Sequence, residues 1–281
     1  MAVGVFDSGV GGLTIHRELS ARLPAADLVY FSDQAHMPYG PRSGAQIVEL
    51  TQRACERLFA EGCELIVLAC NTASAVALRQ LQTQWLPQLR RGRDRPANVL
   101  GIIVPTIEVV TGRPWRGPHS PRSSEPRRCV GVFATQATAR SQVYEIEIAK
   151  RRGDLMAITE PCKGLAALIE QGAPREELRS VIAAHAAALA ARAGAPPHKV
   201  ILGCTHYEVC ADLFREALPG PVELIQQPRA TADALLAYLA RHPEYSPGTQ
   251  GRRRFLTTGR PGTQHRLVET FWGGPLSFEA A

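Results

Sequence analysis

Glu64-Leu65-Ile66-Val67-Leu68-Ala69-Cys70-Asn71-Thr72 and Lys199-Val200-Ile201-Leu202-Gly203-Cys204-Thr205-His206 decide the fold. Each is an apolar run that closes on a cysteine beside a threonine. An apolar run of this length reads as a strand buried on both faces, the habit of parallel sheets. A buried strand that ends on a thiol and then turns polar presents that thiol at the carboxyl edge of its sheet. Open α/β folds bind their ligands at that edge. The arrangement occurs once in each half of the chain, so two thiols are expected to meet across one pocket. Proton exchange at both faces of one carbon requires such a pair.

A second repeat supports duplication. Val3-Gly4-Val5-Phe6-Asp7-Ser8 returns as Val130-Gly131-Val132-Phe133-Ala134-Thr135, offset by 127, and the cysteines are offset by 134. Two kinds of match, in one order and at nearly one offset, point to divergent copies of a long structural unit and not to a short-repeat solenoid. Coarse strands fall at 2–6, 28–32, 64–69, 98–103, 129–134, 154–159 and 199–203, with another near 222–226. Helix-like stretches lie between them at 12–22, 43–61, 73–85, 138–151, 163–171, 175–193 and 208–217. Such alternation predicts parallel sheets flanked by helices. The expected fold is α/β: two pseudo-symmetric, three-layer αβα lobes with mainly parallel sheets and the active site in the cleft between them. The Arg/Gly/Pro-rich stretch 90–97 reads as the linker, which places 1–97 plus 208–281 in the first lobe and 98–207 in the second.

At 281 residues the chain can bury a core in each of two modest domains. No run reaches the length of a membrane span. The chain enters a strand at once without a basic n-region, and its seven cysteines are odd in number and irregular in spacing. Free thiols in the cytoplasm are the expectation. The net charge of +6 comes from arginine, since lysine occurs only at 150, 163 and 199. Much of that arginine lies in loop-like stretches. The longest, 111–128, holds four prolines and reads as a solvated surface loop, which weighs against nucleic acid as the partner.

Four segments carry the chemistry. In Phe6-Asp7-Ser8-Gly9-Val10-Gly11-Gly12-Leu13-Thr14 a strand runs through glycines into a helix, a nest of N–H groups suited to an anion; a tight turn capped by Asp7 is the plainer reading. Asp33-Gln34-Ala35-His36-Met37-Pro38-Tyr39-Gly40-Pro41 follows the second strand, stiffened by its prolines, with His36 read as a loop residue. At Cys70-Asn71-Thr72, Asn71 or Thr72 is expected to cap a helix whose N-terminus favours a thiolate over a thiol of ordinary pKa about 8.5. Cys204-Thr205-His206 is expected to do the same, with His206 moving the proton. A zinc site from Cys70, Cys204 and His206 lacks any Cys-x-x-Cys or His-Glu-x-x-His element. A pyridoxal Schiff base would have only Lys163 in a plausible loop. No metal and no cofactor are expected.

These motifs, Val5-Phe6-Asp7-Ser8-Gly9-Val10-Gly11-Gly12-Leu13-Thr14, Met37-Pro38-Tyr39-Gly40, Ala69-Cys70-Asn71-Thr72-Ala73-Ser74 and Leu202-Gly203-Cys204-Thr205-His206-Tyr207, resemble those of the glutamate racemases of the aspartate/glutamate racemase superfamily. The resemblance implies cofactor-independent, two-base racemization of glutamate, supplying D-glutamate for peptidoglycan. It implies that Cys70 removes the α-proton of D-glutamate and Cys204 that of L-glutamate, assisted by Asp7 and His206. It assigns Asp7, Ser8, Tyr39, Gly40, Asn71, Thr72, Thr205 and His206 to substrate binding, and Thr135, Thr138 and Glu170 to supporting positions. Two departures stand out: the loop 111–128 is long and basic, and Cys162-Lys163 stands where the family has Cys-Pro. Racemization of aspartate or another acidic amino acid by the same thiols is the alternative within enzymes. A regulator associated with nucleic acid or DNA gyrase is the alternative outside them, and a homodimer is compatible with the pattern.

Overall fold

Every strand pairing in the computed structural model is parallel, and each strand places its chain exit on the carboxyl edge of its sheet. The structure describes residues 1–115, 128–262 and 265–281. Their strands are β1 (Ala2–Asp7), β2 (Leu28–Ser32), β3 (Cys63–Leu68), β4 (Asn98–Gly101), β5 (Arg128–Ala134), β6 (Leu155–Pro161), β7 (Lys199–Gly203), β8 (Glu223–Ile225), β9 (Arg253–Thr257) and β10 (Glu279–Ala280). One sheet has the order β10-β9-β2-β1-β3-β4, the other β6-β5-β7-β8. The inner order β2-β1-β3-β4 is thus repeated as β6-β5-β7-β8. That is the topology expected of duplicated halves, with β1 matching β5 and β3 matching β7. All eight strands expected from the sequence form; β9 and β10 were not foreseen.

The chain divides into two compact units, 1–102 with 228–281, and 103–227. This differs from the division expected at 97/98 and 207/208. The strand 98–101 hydrogen-bonds to β3 and so completes the first sheet, and the stretch 90–97 only leads into it. Residues 208–227 stay with the second unit because β8 pairs with β7. The chain returns to the first unit at Pro228, and β9 adds to the outer side of β2.

Local signals account for the helices. Ser43 caps Gly44–Ala60 by accepting the Gln46 N–H, and the Gln46 side chain takes the Ser43 N–H in return. The alanine-rich helix Arg175–Ala193 ends at Gly194, whose φ of 68° suits a residue without Cβ. In the first unit His16 is fully buried among the rings of Tyr30, Phe255 and Trp272 at 5.2–5.5 Å. Burial first, then the nearby Arg253, lowers its pKa to about 3, so it packs as a neutral ring. Among the described residues no helix is long and apolar enough to cross a membrane. The arginine-rich segment 116–127, the bulk of the expected surface loop, lies outside the described residues.

The unforeseen strand β9 is tied to the start of β2 by Asp27. Its Oδ1 accepts the Arg252 backbone N–H at 2.9 Å, and its Oδ2 accepts the guanidinium at 2.8 and 3.2 Å. These bonds hold the Asp27 carboxyl below the usual carboxylate range. A depressed carboxyl contributes stability above its ordinary pKa near 3.8 and loses it as pH falls through the folded value. Asp27→Asn is expected to lower Tm at pH 7. The gap from the parent protein should narrow steadily below about pH 4, which thermal melts across pH 3–7 will check.

Candidate active site

In the first unit β1 delivers Asp7 and β3 delivers Cys70 to one edge. The Asp7 Oδ1 accepts the Gly9 N–H at 2.8 Å, so Asp7 braces the turn after β1. The helix Leu13–Arg22 that follows has Gly12 at its N-cap and no side-chain cap. Gly12 is required by close approach: a Cβ there would lie 2.6 Å from the Asp7 Cβ and 3.1 Å from that of Ala69. Cys70 itself caps Asn71–Val76, its Sγ accepting the Ala73 N–H at 3.5 Å. This corrects the assignment of the cap to Asn71 or Thr72: φ −70° and ψ 119° make Cys70 the last extended residue, and its thiol is the side chain at the cap. A peptide N–H aimed at sulfur favours the thiolate. Ser8 Oγ stands 3.5 Å from the same sulfur, and Cys70 as a whole is only 5 % exposed.

Tyr39 is buried next to Gly40 and donates its hydroxyl to Asp33 Oδ2 at 2.6 Å. Burial first, then the Asp33 carboxylate, raises the phenol pKa, and charge on Cys70 and Asp7 raises it further. Tyr39 therefore stays protonated beside both residues. Asp33 Oδ1 is shared by Thr258 Oγ1 at 2.8 Å and His36 Nδ1 at 2.8 Å. Ser32 and Tyr30 donate to the Gly9 carbonyl at 2.7 and 2.9 Å and so fix the turn that carries Ser8. Asn71 and Thr72, in the first helical turn after Cys70, are buried.

In the second unit β7 delivers Cys204 to the matching place. Its Sγ lies 3.7 Å from His206 Nδ1, and His206 Nε2 lies 2.5 Å from Glu170 Oε1. Burial alone would depress the His206 pKa, but hydrogen bonds to Cys204 and Glu170 and the charges of both outweigh it. The pKa is raised well above 6.5. His206 is thus held as an imidazolium between Cys204 and Glu170, and it stores a proton beside the sulfur. The turn from Thr205 to Cys210 is a 3₁₀ segment with no side-chain cap, so the Cys204 environment is not the helix N-terminus expected from the sequence. Gly203 is favoured by packing, since a Cβ would sit tightly, 3.0 Å from the Phe133 carbonyl oxygen. Thr135 caps Gln136–Ser141, with its Oγ1 3.1 Å from Thr138 Oγ1, where β5 ends as β1 does at Asp7.

Each thiol therefore stands at the carboxyl edge of the third strand of its repeat, with polar groups around it. Each arrangement can take a proton from carbon: a buried thiolate is a strengthened base, and the N–H and hydroxyl groups near it can meet a carboxylate. The family resemblance gives Glu170 only a supporting place, close to the departure at Lys163. The structure puts the Glu170 carboxylate directly on His206 regardless. Residues missed from sequence are Asp33, Tyr30 and Ser32. Asp33 immediately follows β2, the one signal in the sequence that points to it, whereas the pairing of Ser32 with Asp7 is set only by the sheet.

The sequence profile of the Asp/Glu/Hydantoin racemase family matches residues 13–235. The chain belongs to that family. It is 62 % identical to a glutamate racemase of Phenylobacterium zucineum and 59 % identical to one of Caulobacter sp., in both cases over the full length of each chain. A crystal structure of glutamate racemase from Francisella tularensis in complex with D-glutamate superposes with a TM-score of 0.80 at 27 % identity, covering 100 % of this chain and 97 % of that one.

Removing the Glu170 charge tests the origin of the raised His206 pKa. Stabilisation by the imidazolium is present below the ordinary value of about 6.5 and is lost as pH rises through the raised value. Glu170→Gln should bring the His206 titration down toward 6.5, read directly by NMR of labelled histidine. An unchanged titration would assign the rise to Cys204 alone. Gly12→Ala should displace Asp7 by steric contact, since a Cβ there would lie 2.6 Å from the Asp7 Cβ.

Proposed function

We propose that this protein interconverts L- and D-glutamate in the cytoplasm without a cofactor, supplying D-glutamate for peptidoglycan. Both thiols serve one substrate: Cys70 takes the α-proton of D-glutamate and Cys204 that of L-glutamate. The observation that carries the reading is the equivalence of the thiols, which close β3 and β7, equivalent strands of sheets whose common order is repeated. Support comes from the full-length relatives named glutamate racemase and from the similar structure with D-glutamate.

The α-proton of an amino acid is weakly acidic, so charge developing on carbon and carboxylate must meet donors already in place. Ser8, Tyr39, Gly40, Asn71 and Thr72 on the first sheet, and Thr205 on the second, supply hydroxyl, amide and backbone N–H groups for the amino acid. Asp7 assists Cys70 and His206 assists Cys204. Thr135 and Thr138 support the second set. A thiolate removes the proton and becomes a thiol, leaving a planar carbanion. The opposite thiol protonates the other face and becomes the thiolate, so charge is conserved and only the position of the proton changes. Of the three lysines, Lys150 is paired with Glu147 at 2.9 Å and Lys199 with Glu223 at 3.2 Å, while Lys163 is exposed. The seven cysteines are all free and buried, which suits a reducing compartment.

Cys70→Ser and Cys204→Ser are each expected to cost at least about 10²-fold in racemization, because either direction needs one base and one acid. With β-chloroglutamate only the first proton transfer is needed. Removal of the α-proton expels chloride from Cβ, and the resulting enamine tautomerises and hydrolyses to a 2-oxo acid and ammonia. Cys204 alone should support elimination from the L-form and Cys70 alone from the D-form. Equal loss from both enantiomers in both variants would sink the two-thiol assignment.

A further inference from the structure

Gln227, the last residue of the second unit, is fully buried, and its side chain spends both amide hydrogens inside that unit. Nε2 donates to Thr106 Oγ1 at 2.9 Å and to Tyr144 OH at 3.1 Å. Those hydroxyls belong to the helices Ile103–Thr111 and Val143–Arg151, so one amide ties the chain's exit from the unit to two of its helices. The backbone of Gln227 makes a third link, its N–H donating to the Glu208 carboxylate. Glu208 lies two residues beyond His206 in the Thr205–Cys210 segment. Its Oε1 has no hydrogen-bond partner among the described residues; burial raises the Glu208 pKa to about 7, against the Gln227 bond and the charge of Arg215.

One arm of Gln227 leads to the segment that follows Cys204, and the other holds Gln227 itself. One runs through Glu208 along the turn. The other ends on Tyr144 OH at 3.1 Å and holds the Gln227 side chain, and with it the backbone N–H that meets Glu208, in place. The turn has no side-chain cap at Cys204, and the Cys204–His206 contact is long at 3.7 Å. A small displacement of this turn would therefore separate base from proton store. We propose that Gln227 is a positioning residue for the Cys204–Thr205–His206 turn, acting on the Cys204 half of the reaction and not on the Cys70 half. This rests on the two-thiol reading above.

The test uses the full chain with Gln227→Met, which keeps the volume and removes the amide, and with Tyr144→Phe, which removes only one hydroxyl. Elimination from L- and D-β-chloroglutamate is measured beside racemization of glutamate and thermal melting. The expected result is a loss of about tenfold in kcat for the L-form, the size of effect a displaced rather than deleted base produces. KM and the D-form rate should stay within about twofold. The double variant should lose less than the product of the single losses, because both act through one bond. Equal loss from both enantiomers, or no loss from either, overturns the proposal. Should Gln227→Met fail to fold, Tyr144→Phe alone decides it by the same asymmetry. Parent protein and Cys204→Ser run alongside keep the two readings apart. A parent inactive on glutamate overturns the racemase reading. An active parent whose L-elimination falls in Cys204→Ser, with symmetric behaviour in Gln227→Met and Tyr144→Phe, overturns this inference only.

Discussion

A parallel strand can leave its sheet only at the carboxyl edge, and the rest of this structure follows from that constraint. β1 pairs with β3, and β5 with β7, in fixed register. Asp7 and Cys70 therefore emerge on one edge, as do Thr135 and Cys204 on the other sheet. Register is held by burial on both faces: every position of β3 is buried, and a slip along the strand would carry the thiol away from the edge. Glycine is needed where the strands and turns come closest. Gly12 lies against Asp7, where a Cβ would overlap, and Gly203 against the Phe133 carbonyl, where a Cβ would be tight, so glycine suits the positions beside Asp7 and Cys204.

Equivalent placement does not make the thiols chemically equivalent. Cys70 is met by a backbone N–H at a helix start and by the Ser8 hydroxyl. Cys204 has no helix cap and is met by an imidazolium that Glu170 stabilises. One sulfur thus meets an oriented peptide dipole, the other a full positive charge. The second contact depends more on side-chain placement, because the pull of a charge weakens as the distance lengthens and as water enters.

Buried polar side chains recur at these edges, and each needs a partner to offset its desolvation. Asp33 gathers Tyr39, Thr258 and His36. Gln227 gathers Thr106, Tyr144 and Glu208. Such clusters connect segments distant in sequence, so they order the loops on which the reactive groups sit without adding apolar core. His16 takes the opposite course and is buried as a neutral ring among aromatics.

Strand identity, strand direction, the duplication and the two thiols were legible in the sequence. Apolar runs, the glycine-rich turn and the cysteine–threonine junctions are local signals, and a buried parallel strand advertises itself by composition alone. Helix limits were legible where a local stop existed, as at Gly194. The unit boundary was not: whether 98–101 and 223–225 belong to one sheet or the other depends on which strand they hydrogen-bond to, and pairing leaves no mark on the residues involved. β9 was hidden for the same reason, since Arg252, Arg253 and Arg254 look like loop until Asp27 and Glu61 pair with two of them. The cap at Cys70, the Glu170 carboxylate on His206 and the Gln227 cluster were decided only by tertiary structure. Each is a bond between groups whose meeting depends on backbone geometry or on packing across many residues, and a hydrogen bond exists only when distance and direction are both met.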